Sequence, residues 1–281
     1  MHYETAPAKI NLTLDTLFKR ADGFHEVNMV MTTVDLNDHL SFEKRADGKI
    51  VINTNHQFVP TDRRNLVYQA AELMMETYEI KTGVNIIIDK RIPIAAGLAG
   101  GSADAAAAFR GMNALYALGA DIEELAELSG KLGSDIPFCI YGGTAMAAGR
   151  GETIQPLSKP PHAWIVLARP EINVSTRTIY GALEPGKNLP ASKNMSEAVN
   201  NGEYQSIVSL MKNDLQEVTC RKYPAVKKLL ASMDSCGADA AMMSGSGPTI
   251  FGFVQKERQA SHLYNAMKGC CNEVYKVRLL G

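Results

Sequence analysis

The stretch that most constrains this chain is PIAAGLAGGSADAAAAFRG, beginning at Pro93. An apolar, β-branched run, VNIIIDK, precedes it, and alanines crowd its second half. The order is strand, glycine-rich turn, helix. Alanine has high helix propensity and little girth, so the predicted helix can sit close to its neighbours. Gly97, Gly100 and Gly101 clear side chains from the place where a ligand would approach the backbone. Ser102 and the residues after it supply amides at a helix N-terminus, where unpaired N–H groups and the helix dipole favour an anion. A nucleotide polyphosphate is such an anion. No Gly-Lys-Ser/Thr ends the turn and no G-x-G-x-x-G occurs in it, which excludes the Walker loop and the dinucleotide fingerprint. Taken alone, a glycine turn at a strand–helix junction also suits a purely structural role.

The flanking sequence places this turn in an α+β chain. KINLTL alternates, with Ile10, Leu12 and Leu14 on one face and Lys9 on the other. Asp22-Gly23 and Asp47-Gly48 are hairpin dipeptides, and SFEKR and KIVINT flank the second, which predicts that those two strands pair. In NLVYQAAELMMETYEI, Leu66, Ala70, Leu73 and Tyr78 share a helical face, and Gly83 is expected to stop that helix. IEELAELSGKLG reads as a helix ending at Gly133, and SDIPF opens a new element. GTAMAAG closes a first domain, 1–155, with Pro156, Pro160 and Pro161 at the boundary. The second domain, 156–281, opens with the strand HAWIVLARP. Helices follow in STRTIYGAL, SEAVNNGEYQSIVSLM and AVKKLLASMDSCG. AAMMSGSGPTIFGFV gives strand, glycine loop and strand, ERQASHLYNAMKG a helix, and EVYKVRLL a last strand. That order predicts helices on one face of a mostly antiparallel sheet. The polar stretch Pro185–Lys193 reads as a surface loop.

Composition narrows the partners. The 281 residues suit two modest domains, and 46% of them are apolar. A formal net charge of −1 gives no field to attract nucleic acid or an anionic membrane, so any anionic ligand must be held locally. No apolar run approaches the ~18 residues of a membrane helix. MHYETAPAKI lacks a basic segment followed by an apolar one, so no signal peptide is expected. The five cysteines are odd in number and none has metal or redox spacing, which predicts buried thiols in a reducing, cytoplasmic setting.

PAKINLTL from Pro7, PIAAGLAGGSADAA from Pro93 and MMSGSGPTIFG from Met242 resemble, in order, the signature motifs of the GHMP kinases (galactokinase, homoserine, mevalonate and phosphomevalonate kinases). DGFHEV, RRNLVYQAA, the extra glycine of GLAGGSADAAA and KLGSDIPFCIYGGTAMAAGRGE resemble one branch of that family, whose acceptor carries a cytidine diphosphate. The resemblance covers essentially the whole chain, least distinctly from about Gly186 to Asn213. It implies a two-domain GHMP kinase fold. The N-terminal domain would be like the second domain of ribosomal protein S5, and the C-terminal one ferredoxin-like. ATP and acceptor would lie in the cleft between them.

The resemblance also implies roles. Pro93, Ile94, Ala95, Ala96, Gly97, Leu98, Ala99, Gly100, Gly101, Ser102 and Ala103 would form the ATP phosphate loop, with Asn65 near the adenine. Asp135, by local sequence a helix N-cap before Pro137, matches the family's catalytic aspartate. Lys9, by local sequence a solvated strand lysine, would lie beside the transferring phosphoryl group. Phe24 and Tyr180 would stack on the cytosine and His25 would bond its edge, while Asn11 and Thr176 match acceptor-contacting positions. Ser244, Gly245, Ser246 and Gly247 would support the phosphate loop. Several family members have two adjacent hydroxyl residues after the glycines, whereas here Ser102 is followed by Ala103. Mg²⁺ is therefore expected with the nucleotide, and its ligands are unassigned. The implied activity is ATP-dependent phosphorylation of a hydroxyl on the cytidyl acceptor. The partners are small molecules, with neither nucleic acid nor membrane, and the chain is a monomer or homodimer. A homoserine- or mevalonate-type kinase is disfavoured because those acceptors have no base for Phe24 and His25. A silent nucleotide-binding relative is disfavoured by intact Lys9 and Asp135.

Overall fold

The computed structural model describes residues 1–186 and 189–281. In chain order the elements are β1 (His2–Lys19), β2 (His25–Arg45), β3 (Ile50–Thr54), α1 (Leu66–Thr77), β4 (Gly83–Asp89), α2 (Gly100–Tyr116), α3 (Ile122–Ser129), α4 (Ile136–Tyr141), β5 (Thr144–Ala148), β6 (Thr153–Pro156) and β7 (Trp164–Arg169). Then come α5 (Thr176–Gly181), α6 (Ser192–Asn200), α7 (Tyr204–Leu210), β8 (Lys212–Asn213), α8 (Asp214–Lys222), α9 (Pro224–Ser235), β9 (Ala240–Met243), β10 (Ile250–Val254), α10 (Glu257–Lys268) and β11 (Glu273–Arg278).

Two compact units emerge, and neither is a single run of sequence. One comprises Met1–Ala8, Leu36–Ile94 and Ala99–Gly142; the other comprises Lys9–Asp35, Ala95–Leu98 and Gly143–Gly281. The long strands β1 and β2 pass through both.

In the first unit the strand order is β3-β4-β2, with β4 antiparallel to β2 and parallel to β3. The expected pairing of SFEKR with KIVINT therefore does not form. Val84, Ile86 and Ile88 of β4 are all buried, and a β-branched strand of this kind gains most from a central place. The link at Asp47-Gly48 has to pass over the start of β4. Gly83 permits this, since a Cβ there would stand 2.2 Å from the Lys49 carbonyl oxygen. Gly83 thus opens a strand and stops no helix; α1 has already ended at Thr77, with Glu79 at φ 53°. The buried face of α1 is Val67, Ala70, Ala71 and Met74, so of the predicted stripe Ala70 is buried and Leu66, Leu73 and Tyr78 are only half-buried. Smaller side chains face inward because α1 lies against α2, whose residues Ala103 to Phe109 are all buried. The helix predicted to reach Gly133 ends at Ser129, capped by Gly130, and α4 follows.

In the second unit one sheet runs β6-β5-β2-β1-β8 and another runs β11-β7-β10-β9, the latter antiparallel throughout. Helices α9 and α10 pack on this second sheet as the element order predicts. SEAVNNGEYQSIVSLM is split into α6 and α7 at Gly202, which takes φ 70°. Helix α8 escaped the sequence reading because it is mostly polar, burying only Leu215, Val218 and Thr219. In the polar stretch Pro185–Lys193, Lys187 and Asn188 lie outside the described residues. Its end is no surface loop: Ser192 opens α6 and is buried, its amide and hydroxyl both donating to the Asp15 carboxylate. The five thiols are free, but Cys139 alone among them is buried and Cys270 is exposed. The expectation of uniformly buried cysteines fails because Cys270 and Cys271 follow α10 in a turn rather than in the core.

Candidate active site

The glycine-rich turn leads into α2 through Ala99, which takes the left-handed conformation at φ 55° and leaves the helix with no side-chain cap. The first intrahelical bond is Ala103 N–H to the Ala99 carbonyl, 2.9 Å. The amides of Gly100, Gly101 and Ser102 precede it, so no helical carbonyl can satisfy them. The two glycines differ. A Cβ at exposed Gly101 would meet only Leu66 Cδ1 at 3.9 Å, leaving its outer side open for a ligand. A Cβ at Gly100 would come within 3.0 Å of Ile92 Cγ2 and 3.2 Å of Lys90 Nζ. Ala103 is 1% exposed, so the position that bears a hydroxyl in some family members faces the interior here.

Beneath this helix start lies a charge cluster that the sequence reading missed. Lys90 Nζ donates to Asp104 Oδ2 at 2.8 Å and to Asp38. Asp38 Oδ1 also accepts from the amides of Arg91 and Ile92, the latter at 2.8 Å. All three side chains are at most 5% exposed. Burial pulls the Lys90 ammonium down, but the two carboxylates outweigh it and hold its pKa above the ordinary value. For Asp104, burial dominates; with Asp38 adding to it and Lys90 opposing, the carboxyl is pushed up to about 8. The signal available in sequence was one aspartate in an otherwise apolar helix start, SADAAAAF.

Farther along the chain, Ser244 to Gly247 form a tight loop against the earlier half of the turn. Ser244 Oγ donates to the Gly97 carbonyl at 2.9 Å, and a Cβ on Gly97 would stand 2.4 Å from the Ser244 carbonyl oxygen. Asn213, also unmarked by the sequence, donates from Nδ2 to the Met243 and Gly245 carbonyls at 2.8 Å each. Thr176 Oγ1 lies 2.9 Å from Ser246 Oγ, so α5 begins on this loop.

Lys9 is 4% exposed, which excludes the solvated reading. Its Nζ donates to Asn11 Oδ1 at 2.9 Å, and its amide donates to the Leu98 carbonyl at 3.1 Å. Asn11 is wholly buried and turns its amide toward Met29 Sδ. Asp135, half-buried at the start of α4, makes no capping hydrogen bond, so the local-sequence explanation for an aspartate there does not hold. Asn65 does cap: its Oδ1 accepts from Val67 N–H and its Nδ2 donates to the Pro60 carbonyl at 2.7 Å, fixing the start of α1.

The aromatic residues lie in the second unit. The His25 and Tyr180 rings are 5.2 Å apart, tilted by 38°. Burial first, and then Lys19, lowers the His25 pKa, so the imidazole is neutral near pH 7. Phe24 is 54% exposed, and the Arg150 guanidinium lies 5.3 Å from its ring centre. Among the described residues no group of three or more His, Cys, Asp or Glu side chains is arranged to hold a metal.

Comparison with known proteins gives the family. Residues 65–143 match the GHMP kinases N terminal domain and residues 195–273 the GHMP kinases C terminal domain. A relative from Macrococcus caseolyticus, 4-diphosphocytidyl-2-C-methyl-D-erythritol kinase, is 56% identical over the full length of both chains. The crystal structure of a 4-(cytidine 5'-diphospho)-2C-methyl-D-erythritol kinase superposes with a TM-score of 0.84 at 33% identity, covering both chains completely. The homoserine kinase of Cytophaga hutchinsonii, at 18% identity and a TM-score of 0.79 over 99% of this chain and 95% of its own, shares the fold. Matched from end to end at this identity, the chain belongs to the GHMP kinase family, in the group of its 4-diphosphocytidyl-2-C-methyl-D-erythritol kinases.

Proposed function

We propose that this enzyme transfers the γ-phosphoryl group of ATP to the C2 hydroxyl of 4-diphosphocytidyl-2-C-methyl-D-erythritol. The products are the 2-phosphate and ADP, within the methylerythritol phosphate route to isopentenyl diphosphate. The observation that carries this reading is full-length identity of 56% to a relative bearing that name. The uncapped, open start of α2 supports it as a seat for the nucleotide phosphates. The His25–Tyr180 ring pair, with Phe24 beside His25 in sequence, supports it as a site for a base. Base–aromatic stacking is worth about 1–3 kcal/mol per base, and a neutral imidazole can read a pyrimidine edge without a charge to desolvate.

In the transfer, the C2 oxygen bonds to the γ-phosphorus as the bond to the bridging oxygen of ADP breaks. Asp135 orients the hydroxyl and accepts its proton late. A weak base suffices because phosphoryl transfer is loose, with little bonding to the nucleophile. Lys9, held by Asn11, offsets charge developing between the two oxygens. Asn65, its side chain engaged in capping, shapes the adenine region rather than bonding the base through its amide. Mg²⁺ would accompany the nucleotide, held by its phosphates and water, and would supply charge neutralisation there. The partners are these small molecules, in the cytoplasm, with the chain a monomer or homodimer. No helix among the described residues is long and apolar enough to cross a membrane.

The test is a coupled ADP-release assay with the cytidyl acceptor, homoserine and mevalonate in parallel. Turnover with the first alone is expected. Preference for either of the others, or nucleotide binding without turnover, overturns the assignment.

A further inference from the structure

Lys90, Asp38 and Asp104 join the backbone segments on either side of the glycine-rich turn. Lys90 closes the end of β4. Asp38 holds the amides of Arg91 and Ile92, which lead into the turn. Asp104 lies in the first turns of α2, and Lys90 Nζ underlies Gly100, the first residue of that helix. The cluster therefore sits under the amides that are to receive the phosphates.

Its charge does not balance if every group is ionised, because one ammonium faces two carboxylates with almost no water. Asp104 Oδ1 is buried and has no hydrogen-bond partner. A buried acceptor left without a donor is costly, and two like charges on one site raise the affinity of one of them for a proton. A proton on Asp104 answers both problems, leaving the cluster neutral and letting the carboxyl donate to the adjoining Asp38 carboxylate. The ionised groups acting on Asp104 are Lys90 and Asp38. The helices packed on α2 bury uncharged side chains: Val67, Ala70, Ala71 and Met74 of α1, Leu125, Ala126, Leu128 and Ser129 of α3, and Ile136, Pro137 and Phe138 of α4.

We propose that Asp104 is a positioning residue that works in its protonated form, and that loss of its proton sets the alkaline limit of nucleotide binding. Deprotonation places an uncompensated negative charge under the phosphate seat. The upward pull of burial on this carboxyl, to about 8, puts that limit just above neutral pH. This inference rests on the reading of the α2 start as the nucleotide phosphate site.

The experiment is ADP binding by calorimetry in the presence of Mg²⁺, from pH 7 to 9.5, for the wild type and for Asp104→Asn. The amide copies the protonated acid in shape and charge but cannot titrate. For the wild type, Kd should rise above the Asp104 pKa, approaching about tenfold per pH unit if only the protonated form binds. Asp104→Asn should bind ADP at pH 7 and lose this rise. A wild-type Kd that is level across the range, or the same rise in Asp104→Asn, overturns the proposal while leaving the nucleotide site in place. Absence of ADP binding at every pH overturns the site reading and this inference with it. Should Asp104→Asn not fold, the infrared carbonyl band of a buried protonated carboxyl in the wild type decides. It is expected at pH 7 and lost above pH 9, and its absence at pH 7 refutes the idea.

Discussion

The Asp135 side chain does not cap the helix it precedes, and the bond its carbonyl accepts from Cys139 N–H survives a change of side chain, so replacing it should separate chemistry from folding. Asp135→Ala should slow turnover by about 10²–10⁴-fold, the usual cost of losing a general base, with ADP affinity and melting temperature nearly unchanged. A variant that melts early while Asp135→Asn keeps full activity would return the residue to a structural role. His25 gives a second test at this scale. Its folded pKa is depressed by burial, so the neutral ring persists as pH falls through the ordinary imidazole range. The acceptor KM should stay level down to below pH 6.5 and climb only in more acid buffer, a climb that His25→Ala abolishes. The same depression means that the unfolded chain takes up the proton first. Stability from this residue is thus present above pH 6.5 and lost as pH falls. Local sequence carried little of this. Alternation placed Lys9 opposite Ile10, Leu12 and Leu14, but both faces of β1 are buried there, and a period of two cannot distinguish solvent from a second layer. Asp104 was legible only as an oddity among alanines, because its partners lie 66 and 14 residues away in Asp38 and Lys90, where spacing rules have no reach.

The strand–turn–helix around Gly97 could be read directly, since propensity and glycine placement are local properties. Gly100 and Gly101 make different predictions. Gly101→Val should fold and raise the ATP KM, because the added side chain projects into open space at the helix start. Gly100→Val should instead lose melting temperature, since its Cβ meets Ile92 and Lys90. Thermal melts alongside nucleotide titrations separate the two, and wild-type ATP affinity in folded Gly101→Val would remove this loop from the site. Deeper in the same helix, a Cβ at Gly111 would lie 2.4 Å from the Phe42 ring. Gly111→Ala should destabilise by about 1–3 kcal/mol in urea unfolding, as overpacking of a filled core does, despite the gain in helix propensity. Element pairing was less legible. The Asp47-Gly48 dipeptide marks a real turn, yet it joins strands separated by β4, because a turn signal reports a reversal and says nothing of what lies beneath it. The error on α1 has a similar cause: Leu66 and Leu73 outrank Ala71 in hydrophobicity, but Ala70 and Ala71 face an alanine-rich neighbour.

At the scale of the whole chain, α+β class and the antiparallel second sheet followed from element order, whereas the division into units did not. Each unit draws on separate stretches of sequence, so a cut between residues 155 and 156 would part Lys9–Asp35 from residues 156–281 of their own unit. The fragments 1–155 and 156–281, made separately, should show weak amide protection in β1 and in β7, and mixing them should restore it. Native-like protection in either fragment alone would show that the cut respects a folding boundary. The same interleaving has a consequence during synthesis. Residues 9–35 are made well before their distant partners: Thr33 accepts from Leu280 N–H through its carbonyl, and Val34 bridges Leu279, about 245 residues further along. At ribosomal speeds of about 5–20 residues per second, the first hairpin waits about 12–50 seconds for its partners. Its buried residues, Ile10, Leu12, Leu14, Val30 and Met31 among them, are exposed throughout that interval. The nascent chain is thus a natural client for a holding chaperone, and slowing translation late in the message should lower the soluble yield more than slowing it early.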